Sequence, residues 1–208
     1  AINSLIGYRA LNYGPHVELI ITDQRSYRSQ WAMGRPETNP LGSEDFPDLL
    51  PEELQEIVDA GRAYDGGKPP ATPRYGAEIP NFRRDEPPQT LLGATQKAWF
   101  KDRLVKSKAT WKVWGSTMGT LDFRADPQNI PAGVGKPWPG AGYAGDGGGS
   151  DMSCHYVERA EINDLIRDHK ITGFANVAGD RHSFWAWLTA KALPPKAFQP
   201  VGVAFVAG

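Results

Sequence analysis

The apolar positions of this chain fall into two spacings, and each spacing names an element. Val17-Glu-Leu-Ile-Ile-Thr22 is nearly continuous and β-branched, the pattern of a strand covered on both faces. Thr110-Trp-Lys-Val-Trp114 alternates, and Ile171-Thr-Gly-Phe-Ala-Asn-Val-Ala178 and Val201–Ala207 read as buried strands. Helical spacing occurs three times. Pro51–Ala60 sets Leu54, Ile57 and Val58 on one stripe behind a proline and paired acids. Thr95–Val105 predicts a helix capped by Thr95, with Ala98, Trp99, Leu104 and Val105 facing inward. Glu158–His169 carries Ile162, Leu165 and Ile166. Helix followed by strand recurs at 95–114 and 158–178, which gives α/β layering. Between these elements the chain reads as loop at 31–51, a Pro- and Gly-rich surface excursion at about 61–90, and a Gly-rich loop at about 131–150.

Composition narrows the class. The 208 residues suit one sizeable domain. Lys plus Arg number 23 against 24 Asp plus Glu, so no field draws nucleic acid or an anionic membrane. No apolar run approaches the length of a membrane span. Cys154 stands alone, which excludes an internal disulfide and a cysteine-based zinc cage; it reads as a passive small side chain. The Trp residues at 99, 111, 114, 185 and 187 read as core. The chain opens at Ala1 without a leader pattern and closes on a Val-rich run, from which we expect a piece of something larger.

Candidate chemistry gathers where strands end. Gly179-Asp180-Arg181-His182-Ser183 follows an apolar strand, and in layered α/β folds sites collect at the carboxyl ends of strands. Asp180 and His182 are two apart, so on extended backbone they share a face. A carboxylate beside an imidazole suits a divalent or trivalent metal; a histidine held in the core by Asp is the structural alternative. A Ser-His-Asp hydrolase built on Ser183 lacks a G-x-S-x-G elbow. Asp23-Gln-Arg-Ser-Tyr-Arg28 also follows a strand, and Arg25 can fork onto phosphate oxygens or be stitched to Asp23. The Gly-rich stretch fails as a phosphate loop because Pro137 follows Lys136. Its Trp138 and Tyr143 either line a substrate mouth or pack the loop down.

Several stretches together resemble the PhoD-like alkaline phosphatases and phosphodiesterases of the metallophosphatase class. Asp23-Gln-Arg-Ser-Tyr-Arg28 resembles L-D-T-R-x-Y-R, Leu92-Gly-Ala-Thr-Gln-Lys-Ala-Trp-Phe100 resembles L-G-x-x-Q-x-x-W-L, and Ala109-Thr-Trp-Lys-Val113 resembles A-x-W-K-V. Gly179-Asp-Arg-His182 resembles the terminal G-D-x-H. The resemblance implies part of a four-layer αββα sandwich, incomplete on its own, with residues 1–208 as the C-terminal portion of one catalytic domain. It implies hydrolysis of phosphate esters at a multi-metal site holding Ca2+ and Fe3+, in a periplasmic or secreted enzyme. Asp180 and His182 would be metal ligands and catalytic residues; Arg25, Trp138, Tyr143 and Tyr156 would contact substrate. The family's G-D-x-x-Y and D-D-H-E segments are absent from this sequence, so a companion N-terminal polypeptide is expected to complete the domain. The alternatives are a phospholipase D-like diesterase on the same fold and a non-enzymatic module whose aromatic, Gly-rich loops grip a ligand.

Overall fold

The computed structural model describes residues 6–32, 35–37, 49–72, 74–75, 77–78, 80–126, 129, 143–146 and 152–208. In chain order the strands are β1 (Arg9–Tyr13), β2 (Val17–Ile21), β3 (Leu49–Pro51), β4 (Arg74–Tyr75), β5 (Ala77–Glu78) and β6 (Trp111–Met118). They continue with β7 (Arg124–Ala125), β8 (Ala144–Asp146), β9 (Phe174–Gly179), β10 (Trp185–Ala190) and β11 (Pro200–Val206). The helices are α1 (Glu52–Ala60), α2 (Gly93–Lys106) and α3 (Tyr156–Asp168). The chain divides into two compact units, one of residues 1–29, 90–121 and 158–208, the other of 30–89 and 122–157.

The first unit is a six-stranded sheet in the order β1-β2-β6-β9-β11-β10. Its four middle strands run parallel, and β1 and β10 flank them antiparallel. Parallel neighbours need crossovers: α2 supplies that from β2 to β6 and α3 that from β6 to β9, while the chain passes from β9 to β11 through the edge strand β10. This is the α/β architecture that the sequence predicts. Period two then sorts the side chains. Ile20, Trp114, Phe174 and Ala204 share one face and are buried. The Phe100 ring of α2 lies 4.6 Å from that of Trp114, which lies 6.4 Å from Phe174. On the opposite face, register places Leu11, Trp111, Val177, Leu188 and Phe205 together, and all five are exposed. Trp111 is therefore not core, in contrast to Trp114, because the sequence pattern could not tell which sheet face is covered; Trp185, opposite buried Val206 on the covered face, is exposed at the start of the edge strand β10.

The start of α2 also differs from expectation. Thr95 is exposed and caps nothing; the helix begins at Gly93 with no side-chain bond from Leu92. Instead the Thr90 hydroxyl accepts from Gly93 N–H at 2.9 Å, and the Glu158 carboxylate of α3 accepts from Leu91 N–H at 2.7 Å and Leu92 N–H at 3.3 Å. A side chain remote in sequence has taken the capping role. The buried stripe is Gln96, Phe100 and Leu104, whereas Ala98 and Val105 are exposed. A polar residue on that stripe shifts the apparent apolar phase by one position.

Gly173 marks the entry to β9. It has φ 67°, and a Cβ there would lie 1.9 Å from the Thr110 carbonyl oxygen, so only glycine fits.

The second unit pairs β3, β8 and β7 in an antiparallel sheet, so the expected loop 31–51 ends in a short strand. Its core is Ala32, Leu50, Leu54, Val58 and Cys154, with Trp31 and Phe82 packed against it. Cys154 is a buried small side chain, as expected. The segment after α1 is tied down by ions: Arg83, 2% exposed, donates to the Val58 carbonyl at 2.8 Å and to Glu86 at 2.9 Å. Arg35 forks onto the same carboxylate with two bonds of 3.0 Å.

Candidate functional site

The carboxyl ends of β2, β6 and β9 meet over a buried polar network, which is where the chain spends side chains that a core does not need. Asn176, fully buried in β9, donates to the Trp114 carbonyl at 3.0 Å and to Ser116 Oγ at 2.8 Å, while its Oδ1 accepts from Thr120 N–H at 3.1 Å. Gln24 Oε1 accepts from Met118 N–H at 2.7 Å, and Trp114 Nε1 donates to Thr22 Oγ1 at 2.8 Å. These bonds satisfy the backbone where β6 stops, a condition for burying irregular chain. Gln24 Nε2 and Thr120 Oγ1 are buried without a partner among the described residues.

On this base sits the turn after β2. Asp23 Oδ1 accepts from the backbone N–H groups of Arg25 and Ser26, both at 2.9 Å, closing an Asx turn. Burial alone would raise the Asp23 carboxyl pKa, but the bonds from Ser26 and Arg25 outweigh it and hold the group below its ordinary value. From α2, fully buried Gln96 clamps the same residue at both ends. Its Oε1 accepts from Asp23 N–H at 2.7 Å, and its Nε2 donates to the Asp23 carbonyl at 2.8 Å. Asp23 is thus consumed by the turn, and Arg25 is aimed elsewhere.

Its target is Asp180. Arg25 Nη2 stands 2.7 Å from Asp180 Oδ2, with the two side chains 50% and 35% exposed. An ion pair this open contributes at most about 1 kcal/mol, so its location is better explained by chemistry than by stability. Asp180 and His182 both adopt left-handed backbone, φ 72° and 55°, uncommon for residues other than glycine and concentrated at functional turns. The turn is braced from behind. Ala207 N–H donates to the Ala178 carbonyl at 3.1 Å, and a Cβ at Gly208 would fall 2.3 Å from His182 Cα. Ser183 Oγ donates to the Arg181 carbonyl at 3.1 Å and accepts from Trp185 Nε1 at 2.6 Å, so its hydroxyl holds the turn together. The structure therefore brings Arg25 to Asp180, with exposed His182 on the same turn.

An oxygen donor and an imidazole nitrogen are the right types for a hard or borderline cation. Among the described residues no group of three or more His, Cys, Asp or Glu gathers as a metal cage. Asp180 and His182 alone fall short of the four to eight ligands that a cation of that kind takes.

The other expected contacts lie in the second unit or outside the described residues. Trp138 falls in the latter group. The Tyr143 ring carries the Arg124 guanidinium 3.9 Å from its centroid, and Arg124 pairs with Glu52 at 3.1 Å. The Tyr156 hydroxyl donates to Gln55 Oε1 at 3.1 Å, against a β8 backbone where a Cβ at Gly145 would lie 2.7 Å from that oxygen. Both tyrosines have packing roles inside their unit. Asn176 and Gln24 were given no role from the sequence, although an Asn amid Ala175 and Val177 was a visible break in an apolar run; Gln96 stands at the glutamine of the L-G-x-x-Q-x-x-W-L stretch, whose role the sequence left unassigned.

A family model described as PhoD-like phosphatase matches residues 3–208. Among solved structures, one of PhoD is similar at a TM-score of 0.59 and 17% identity, over 96% of this chain and 28% of that one. The chain thus spans little more than a quarter of that protein's length, and at this identity the likeness shows the fold. No curated protein matches the chain.

Proposed function

The chain belongs to the PhoD-like phosphatase family, and from that premise we propose that it is the C-terminal portion of a catalytic domain that hydrolyses phosphate esters with the help of metal ions. The observation that carries the reading is the Arg25–Asp180 pair on a left-handed turn at the carboxyl end of parallel strands. Asp180 and His182 would hold one side of a metal centre, with Ca2+ and Fe3+ the expected ions. Such a centre supplies a Lewis acid for phosphoryl oxygens and an acidified water as nucleophile. Arg25 serves the substrate. Its planar fork matches two phosphoryl oxygens, and its half-exposed contact with Asp180 can be exchanged for them at small cost. The Asp23 turn and the Gln96 clamp fix the backbone from which Arg25 springs, so the charge on the phosphoryl oxygens would meet a cation whose stem is already placed.

The remaining ligands would come from a companion N-terminal polypeptide. The reason lies in the sheet. Leu11, Trp111, Val177, Leu188 and Phe205 form a continuous apolar face, and a sheet of parallel strands is normally covered on both sides. A depression of about 510 Å3 on this face, between Leu19, Ile21 and Val177, runs to Thr22 and Ser116, beside the polar network. Packing a second layer there would cover the apolar face and bring new donors to Asp180 and His182. No helix among the described residues is long and apolar enough to cross a membrane, and a periplasmic or secreted location fits the reading.

His182→Ala in the full-length protein tests the assignment. Turnover should fall at least about 100-fold with loss of bound metal, while the thermal midpoint of the metal-free proteins is unchanged, because His182 is exposed and packs no core. Unchanged turnover and metal content would remove His182 from the site. Parallel assays on a phosphomonoester, a diester and a phospholipid separate the phosphatase from a phospholipase D-like diesterase. Failure on all three, with metal content unaltered, would favour a ligand-binding module.

A further inference from the structure

The carboxyl end of β6 falls out of step with its neighbour. Gly115 pairs with Val177 and Met118 with Gly179, so three residues of β6 advance against two of β9. That is a β-bulge, and bulges beside sites serve to re-aim a side chain. β6 lies between β2 and β9, and neighbouring strands stand about 4.8 Å apart. Arg25 comes from the turn after β2 and Asp180 from the turn after β9, so their ion pair bridges over the end of β6. The bulge lies at the foot of that bridge. On one side Thr22 N–H still donates to the Gly115 carbonyl at 3.0 Å, and on the other Gly179, the residue before Asp180, pairs with Met118.

Buried side chains brace the bulge. Ser116 Oγ donates to the Met118 carbonyl at 2.8 Å and accepts from Asn176 Nδ2 at 2.8 Å. Gln24 Oε1 takes the Met118 N–H, and Asn176 Oδ1 takes the Thr120 N–H. Gln24 and Asn176 are fully buried, and burying an amide carries a desolvation cost that these bonds have to offset. A regular continuation of the ladder would need none of them. The Thr117 hydroxyl takes no part in the bracing. Thr117 is exposed between half-buried Ser116 and fully buried Met118. With Thr22 and Ser116 it lines the polar end of the depression on the open face.

We propose that the bulge presents the Thr117 hydroxyl to the substrate as a donor to a phosphoryl oxygen, with Ser116, Gln24 and Asn176 as the positioning residues that fix where it stands. The inference rests on the phosphoesterase reading and adds a contact to it. A phosphoryl group engaged by the Arg25 fork sits above the end of β6. There Thr117 offers an uncharged donor to an oxygen that the fork leaves free.

Steady-state kinetics of the full-length protein on p-nitrophenyl phosphate and bis(p-nitrophenyl) phosphate, with calorimetric titration of inorganic phosphate, test it. Thr117→Val should lower kcat/KM on the better ester, and weaken phosphate, about tenfold or more, the loss expected for one hydrogen bond to a charged group. Thr117→Ser, which keeps the hydroxyl, should restore most of that loss. Bound metal and thermal midpoint should match the wild type, because Thr117 is exposed and packs no core. Ser116→Ala should also lower kcat/KM, yet add little in the Thr117→Val background, because it acts through that hydroxyl; additive losses would overturn the positioning role. Wild-type values in Thr117→Val beside an inactive His182→Ala would overturn the contact and leave the phosphoesterase reading in place. Equal losses in the Val and Ser variants would overturn it as well, since bulk and not the hydroxyl would then matter. A wild-type protein that neither turns over the esters nor binds phosphate would overturn both.

Discussion

Glu158→Ala should be among the most damaging single changes in the chain. The Glu158 carboxylate is fully buried and accepts from the Thr90 hydroxyl and from the backbone N–H groups of Leu91 and Leu92, which are themselves 2% and 0% exposed. Alanine strands all three donors at about 1–3 kcal/mol each. Lys97 loses a partner 3.6 Å away but keeps Glu161 at 2.7 Å, so it adds little. The three donors sum to about 3–9 kcal/mol; water entering the vacated space meets part of the need, so the loss should lie near the lower end, about 3–5 kcal/mol, the range for breaking a buried polar cluster. In a chain of this size that lowers the thermal midpoint by about 6–20 °C. Glu158→Gln keeps one acceptor oxygen and should cost about 1–2 kcal/mol. Burial holds the Glu158 pKa above the usual carboxyl range, and the bonds from Thr90 and Leu91 together with the nearby charge of Lys97 pull it back only in part. Its stabilisation is therefore complete below the ordinary Glu pKa and falls away as pH rises through the higher folded value, a slope that Glu158→Gln removes. Urea denaturation across pH measures both effects, and amide exchange at Leu91 and Leu92 localises them. A loss below 1 kcal/mol for alanine, or unaltered exchange at those two amides, would refute the view that Glu158 caps α2.

Three more expectations use other parts of the molecule. Arg25→Met should lower turnover at least tenfold while changing stability by less than about 1 kcal/mol, because the pair with Asp180 is half open; a matching loss in both would make the arginine structural. Gly173→Ala should destabilise by more than about 2 kcal/mol, since its Cβ collides with the Thr110 carbonyl at a positive φ, and a normal melting curve would contradict this. The bond from Arg35 holds the Glu86 pKa below its ordinary value, assisted by Arg83 against the opposing effect of burial. The stabilisation from Glu86 is present above the ordinary Glu pKa and is lost as pH falls through the lower folded value. Glu86→Gln should flatten that acid limb in a pH-resolved denaturation series, and an unchanged limb would argue against it.

The middle strands and all three helices are legible from spacing, because burial on a fixed face writes itself into the apolar period. The edge strands are not. In β1 four of five positions are exposed, and in β10 Trp185, Ala186 and Leu188 are, so neither carries a covered pattern. The α2 stripe misled for the opposite reason, since buried Gln96 looks like a surface residue until its two bonds to Asp23 are seen. The Gly179–Ser183 turn was visible as chemistry after a strand. Its partnership with Arg25 was not, because 155 residues separate the pair and only the sheet order brings them together.

The second unit is strung from two connections of the first, residues 30–89 between β2 and α2 and 122–157 between β6 and α3. The β2–β6 ladder must therefore close across the whole of the earlier insertion before Ile20 can sit opposite Trp114. Closure entropy grows only with the logarithm of the connection, about 0.6 kcal/mol per doubling, so the sheet tolerates wide variation in what its crossovers carry. Speed is another matter, because distant pairings form late. On the ribosome, β1 and β2 emerge as a local hairpin and then wait for residues 110–118 to arrive. The inserted body cannot finish until residue 157 is made, so its parts mature after the scaffold that displays them has begun to form.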